Sequence, residues 1–212
     1  DLPDRADALV CEIFDVSAFG EDALHTIRHA REHLLKPGAT IIPNGVRVWA
    51  APVRSDDLRS RFKVGTVCGF DLSPMNALAD KRTFQLDLRR IPYTTLAEPF
   101  VALEVDFRGD IELLLTESND VPVTGAGDVD GFILWYDLVL GGSNVLSTAP
   151  TGASTHWLQG FLPQWTPLSV SEGDTLRVAT EVRRQVIWFE AEVAPDASTA
   201  PPEASAAEGG AR

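Results

Sequence analysis

The chain has 212 residues, 44% of them hydrophobic and 23% charged, the usage of an ordinary globular protein, which excludes fibrous, collagen-like and wholly disordered readings. Its 31 acidic side chains against 18 basic ones leave a formal charge of −13, the wrong sign for a surface that tracks phosphates or anionic lipid. A cationic partner is expected, and neither nucleic acid nor a membrane. No apolar run nears the roughly 18 residues of a membrane span, and the first residues lack the basic-then-apolar layout of a signal peptide, so a cytoplasmic address is the default expectation. Cys11 and Cys68 each follow an apolar run, where a reduced thiol acts as a small hydrophobe, and no structural disulfide is expected. The chain opens on Asp1 and enters a buried-looking strand within a few residues, which reads as a piece of a longer protein.

Residues Ala6 to Phe14 form a continuous apolar run closing on an acid, the pattern of a strand buried on both faces of a mainly parallel sheet. A loop holding Ser17 and Gly20 follows. From about Glu21 to Leu35, Ala23, Leu24, Ile27, Ala30, Leu34 and Leu35 recur at helical spacing, and Lys36-Pro37-Gly38 stops the helix. Ala39 to Pro43 and Val46 to Ala50 read as strands. Strand, helix and strand over residues 1–50 make the end of an α/β unit, a remnant of a domain.

The texture changes at residue 51. Through residue 194 short alternating or β-branched segments dominate, among them Phe100 to Phe107, Ile111 to Thr116, Gly131 to Leu140, Leu176 to Val182 and Val186 to Val193. Turn signals such as Arg108-Gly109-Asp110 and Gly141-Gly142-Ser143-Asn144 separate them, which indicates an antiparallel barrel or sandwich. Residues 195–212 hold no Leu, Ile, Val or aromatic side chain, so a disordered tail is expected there.

Three groups of residues invite a chemical reading. Glu12 stands at the carboxyl end of the first strand, the edge where open α/β sheets bind ligands, and Glu21 follows nine residues on. A loop through Ser17 and Gly20 lets the two carboxylates face one cleft, a clamp suited to the planar, five-donor guanidinium fork. Glu21 also suits a helix N-terminus and Glu12 a satisfied loop acid, so position alone leaves both readings open. Thr155-His156-Trp157 sets a switchable proton group beside a π face for a cation, although a core Trp next to a surface His looks the same. His25, His29 and His33 fall opposite the Leu24/Ile27/Leu34 stripe with no closing ligand in view, so a solvated face and no metal are expected.

Taken together the segments resemble the C-terminal part of a protein arginine N-methyltransferase. Cys11-Glu12-Ile13-Phe14-Asp15 and Phe19-Gly20-Glu21 are similar to the family's hairpin with two essential glutamates, and Leu35-Lys36-Pro37-Gly38-Ala39-Thr40-Ile41-Ile42-Pro43 to the motif before its β-barrel. Gly69-Phe70-Asp71 and Asp106-Phe107-Arg108-Gly109-Asp110 look like barrel segments, and Thr155-His156-Trp157 matches the family's Thr-His-Trp loop. Ile13-Phe14 and Asp22 replace the usual aromatic and Met or Tyr neighbours of the glutamates, and the segment after Gly69 is short for a dimerisation arm. Both features look closer to the branch that makes monomethylarginine.

The resemblance implies an α/β remnant, the end of a Rossmann-like methyltransferase sheet, followed by a mainly antiparallel β-barrel for substrate binding and dimerisation. It implies methyl transfer from S-adenosyl-L-methionine to a guanidinium nitrogen of a protein or peptide arginine, with Glu12 and Glu21 catalytic and His156 and Trp157 at the substrate. The family's glycine-rich cofactor loop and ribose-holding acid precede the strand at Ala8, so the cofactor contacts are expected mostly upstream of these residues. A homodimer is allowed. The rival readings are a non-catalytic β-barrel module that binds or dimerises, and a methyltransferase for a small guanidino compound.

Overall fold

The computed structural model describes residues 4–195. The expected tail, apart from Pro195, lies outside the described residues. β1 (Ala6–Val10) leads through a loop into the helix α1 (Ala23–His29), a π-helical turn at Ala30–Leu34, and β2 (Leu35–Ile42), which pairs with β1 in parallel. β3 (Gly45–Arg54) runs into α2 (Asp56–Phe62), which Ser55 caps by accepting from the Leu58 amide, then the hairpin β4 (Thr66–Val67) and β5 (Phe70–Asp71) and a 3-10 turn at Ser73–Leu78. Strands dominate from there on: β6 (Phe84–Leu86), β7 (Thr94–Thr95), β8 (Phe100–Asp106), β9 (Leu114–Pro122), β10 (Gly127–Asp128) and β11 (Gly131–Gly141). β12 (Asn144–Ser147), β13 (Gln159–Pro163), β14 (Ser169–Val170), β15 (Thr175–Arg183) and β16 (Val186–Val193) complete them.

One antiparallel sheet of seven strands runs β6-β13-β11-β3-β7, with β12 also on β11 and β8 also on β3. A second has the order β16-β15-β9. The architecture is thus the expected α/β piece followed by antiparallel sheet, although among the described residues the ladders do not close into a barrel.

β11 is buried on both faces, and its period-2 alternation sorts its side chains between two cores. Phe132, Leu134, Tyr136 and Leu138 join the larger core, which also takes in Phe14, Phe19, Leu24 and Ile27 from the N-terminal segment. Ile133 and Trp135 join the smaller one, against Leu58 of α2. The core is therefore continuous across the boundary expected at residue 50, and β3 crosses it unbroken.

Two local readings change. β1 is shorter than the apolar run and exposed, with Val10 74% accessible, because among the described residues only β2 flanks it. The helix yields to β2 at Leu35 rather than at the Lys-Pro-Gly stop. A shift in the β1–β2 register, from Ala6 opposite Leu35 to Ala8 opposite Thr40, absorbs Lys36-Pro37-Gly38 inside the strand.

Candidate functional site

The segment between β1 and α1 is built around Asp15. Its Oδ1 accepts from the Ser17 amide at 2.9 Å, the Ser17 hydroxyl at 2.7 Å and the Gly20 amide at 2.9 Å, and its carbonyl accepts from the Ala18 amide. Ala18 and Asp22 take left-handed backbone angles, φ 71° and 61°, which fold the chain back within a few residues. Gly20 is required by space: a Cβ there would stand 2.1 Å from Asp15 Oδ2. Phe14, Val16, Ala18 and Phe19 turn inward, Phe14 stacking on Phe107 at 6.0 Å between centroids, and Glu12 and Glu21 are left exposed at either end of the turn. The hydrophobic anchors thus fix a loop whose two glutamates face outward.

Tyr136 of β11 shares a core with Phe14, Ala18 and Phe19 of this loop. Burial, and the charges of Asp15, Glu12 and Glu21, push its phenol well above the ordinary range, so the hydroxyl keeps its proton and lies in the combined field of three carboxylates. The ring is fully buried and its hydroxyl has no hydrogen-bond partner among the described residues. Trp157 meets Tyr136 edge-on at 6.2 Å, and the exposed His156 packs on Trp157 at 4.0 Å. The Trp157 carbonyl accepts from Gln85 Nε2, while Gln159 bridges the Thr148 carbonyl and the Leu88 amide, so the His156-Trp157 loop is held from both sides. The structure therefore packs His156, Trp157 and Tyr136 together, in one core with Phe14 and Phe19 of the loop that carries Glu12 and Glu21.

Asp15 and Tyr136 are the members of this group that sequence reasoning misses. In the sequence Asp15 is visible only as part of the hairpin motif, and Tyr136 reads as one more apolar residue of a strand. The signal available for Tyr136 is its place on the same face as Phe132 and Leu134, which points a hydroxyl into an apolar core.

Elsewhere, His25, His29 and His33 form an exposed stack, with His25 beside Asp22 and His33 beside Glu32, and no group of three metal-ligating side chains occurs among the described residues. Just before β11 the buried Asp130 accepts from the Ser55 amide at 2.8 Å and from Arg59 at 2.7 and 3.0 Å, with Lys63 at 3.6 Å. This ion cluster pins α2 to the sheet. Beyond α2 the β4–β5 hairpin and the following turn leave large apolar side chains in the open, Phe70 at 72% and Leu78 at 84%. Cys68, expected in an apolar setting, sits exposed at the tip of that hairpin with φ 52°.

Residues 45–201 match the family profile described as arginine methyltransferase oligomerization subdomain. Over 182 residues the chain is 36% identical to an arginine N(omega)-methyltransferase of Streptomyces achromogenes subsp. streptozoticus, covering 83% of this chain and 49% of that protein. It is 27% identical over 202 residues to protein arginine N-methyltransferase 7 of Caenorhabditis briggsae, covering 87% of this chain and 30% of that one. The chain thus spans half or less of the length of these relatives. In fold it is similar to a chain of the Trypanosoma brucei PRMT1 enzyme-prozyme heterotetrameric complex with AdoHcy, with a TM-score of 0.71 at 17% identity over 92% of this chain and 70% of that one. With the profile matched over most of its residues, the chain belongs to the arginine methyltransferase family.

Proposed function

We propose that this chain supplies the guanidinium-binding acids and the antiparallel β-sheet region of an S-adenosyl-L-methionine-dependent arginine N-methyltransferase. The observation that carries the reading is the paired display of Glu12 and Glu21 on a loop keyed by Asp15, whose anchors Phe14 and Phe19 lie in the core that Trp157 packs against, in a member of this family. When bound, the cofactor supplies a methyl group activated by a sulfonium. The residues present fit that reacting end: carboxylates suit a cationic donor and a cationic acceptor together, and Glu12 lies just past the carboxyl end of β1, where parallel sheets receive such ligands. We place its nucleoside end on residues outside those described.

An arginine side chain is protonated at any working pH and is a poor nucleophile. Two carboxylates hydrogen-bonded to its edges draw the positive charge toward the nitrogens they contact and leave electron density on the third. They also fix the plane of the group, and in-line attack on a methyl carbon, in which the attacking nitrogen gives up a proton to solvent, gains most from such alignment. Trp157 walls the approach, its π face suited to a cation, while His156 braces the loop. The negative charge of the whole chain favours the approach of a basic segment. The exposed apolar hairpin around Phe70, together with the oligomerization profile, supports self-association through that arm.

The test is methyl transfer by the complete gene product from labelled S-adenosylmethionine, offered an arginine-rich peptide and free arginine side by side. Label on a guanidinium nitrogen of the peptide is the expected result, and label on neither substrate overturns the proposal in favour of a non-catalytic module. A second reading has its own support. The relative at 36% identity is named for arginine, whereas the more distant relative is named for protein arginine, so transfer to free arginine alone assigns a small guanidino substrate.

A further inference from the structure

We propose that Tyr136 is a positioning residue of this site, whose hydroxyl donates a hydrogen bond to a carboxylate of the Glu12, Asp15 and Glu21 set when a guanidinium is seated. The inference rests on the function proposed for this site and deepens it. Tyr136 is 0% exposed, and its hydroxyl has no partner among the described residues. A buried donor left unpaired is destabilising and uncommon, and a role in binding or catalysis is one of the explanations for keeping it.

The surroundings define that state. The backbone of Tyr136 is locked by the Thr148 hydroxyl, which accepts from its amide at 3.0 Å and lies 3.2 Å from its carbonyl, and its ring abuts Trp157, so the side chain has little freedom to look elsewhere. Its neighbour Asp137 is engaged with the Trp49 indole, 2.8 Å away, and does not compete. Tyr136 shares its core with Phe14, Ala18 and Phe19, the residues that bracket Asp15, and the charges that act on its hydroxyl are those of Asp15, Glu12 and Glu21, while His156 packs on Trp157. Burial first, and then the three carboxylates, hold the phenol in its protonated form, so it serves as a donor and not as a base. Asp15 is the first candidate acceptor: three donors crowd its Oδ1 while its Oδ2 carries no hydrogen bond among the described residues. A bond from Tyr136 to that oxygen ties β11 to the loop bearing both glutamates and narrows the orientations of the clamp.

The test is Tyr136→Phe, which removes one oxygen. In the chain itself the melting temperature is expected to stay the same or rise, because an unpaired buried hydroxyl is lost. In the complete gene product, kcat/KM for the arginine substrate is expected to fall roughly tenfold to a hundredfold, the worth of one hydrogen bond to a charged group. Affinity for S-adenosylmethionine is expected to hold, and the acid limb of the rate profile to move to higher pH, since a carboxylate loses a donor that favours its ionised form. A rate within twofold of the parent with the same acid limb overturns the proposal, and so does a fall in melting temperature large enough to make the hydroxyl structural. Glu12→Gln and Glu21→Gln are measured alongside. If those variants keep full activity, the site assignment itself has failed; if they lose it while Tyr136→Phe does not, only the role of Tyr136 has.

Discussion

Replacing Gly20 by alanine tests whether the Asp15 loop sets the position of Glu21. The added methyl would sit 2.1 Å from Asp15 Oδ2 and 2.4 Å from its Cγ, where contact normally begins above 3 Å. The carboxylate must therefore swing away, and it then abandons its bonds to the Ser17 amide, the Ser17 hydroxyl and the Gly20 amide. At about 1 kcal/mol net for each bond of a half-buried carboxylate the loss is roughly 3 kcal/mol. The lower chain entropy of alanine returns about 0.4–1 kcal/mol. A net destabilisation of about 2 kcal/mol lowers Tm by roughly 4–8 °C in a chain of this size. Because Glu21 follows directly, it moves by about 1 Å, a displacement that costs on the order of a hundredfold in rate when it misaligns reacting groups. Thermal melts followed by circular dichroism read the first effect and methyl transfer the second. The double variant Asp15→Ala/Gly20→Ala is expected to be no less stable than Asp15→Ala alone, since both changes act through one contact. A Gly20→Ala protein with the parent Tm and a rate within twofold of the parent would refute the reasoning.

Asp130→Asn strips the charge from a fully buried carboxylate that faces Arg59 and Lys63, and it is expected to cost about 2–4 kcal/mol, less than a wholly buried pair because Arg59 is partly solvated; urea unfolding measures it, and an unchanged midpoint contradicts it. Burial lowers the Lys63 pKa below its ordinary 10.5, so between the folded value and 10.5 the unfolded chain holds more protons and stability rises with pH. Lys63→Met is expected to remove that alkaline gain, and unfolding at pH 8 and pH 10 compares the two proteins. Phe70→Asp with Leu78→Asp places charges on the exposed arm and is expected to weaken self-association in analytical ultracentrifugation without lowering Tm, while an unaltered sedimentation profile excludes the arm as the contact.

The antiparallel part is legible because its strands are written as apolar, β-branched or alternating runs between turn signals: β11 and β16 fall within a residue of their expected limits, and the Val186 to Val193 run matches its strand end for end. Where pairing partners decide the outcome, sequence alone misleads. β1 carries an apolar run fit for two buried faces, yet burial is conferred by neighbours, and only β2 stands beside it among the described residues. β9 begins three residues later than its apolar pattern suggests and runs on through Glu117, Ser118 and Asn119 to Pro122, because its limits follow its partner β15, Leu114 opposite Arg183 and Pro122 opposite Thr175. In the candidate site the nine-residue spacing of Glu12 and Glu21 can be read directly, and the Asp15 bonds to Ser17 and Gly20 are local turn contacts, while the packing of Tyr136 into one core with Phe14 and Phe19, more than 115 residues away in sequence, is a property of the fold and leaves no local pattern.

The central claim is that Glu12 and Glu21 grip the guanidinium, and the direct measurement is single-turnover methyl transfer to an arginine substrate by Glu12→Gln and Glu21→Gln forms of the complete gene product. Glutamine keeps size and polarity but removes a charge-assisted contact, a loss of about 2–4 kcal/mol in the transition state, or roughly 30- to 1,000-fold in rate. S-adenosylmethionine affinity, measured by calorimetry on the same proteins, is expected to change far less. Transfer within threefold of the parent by both variants would contradict the clamp.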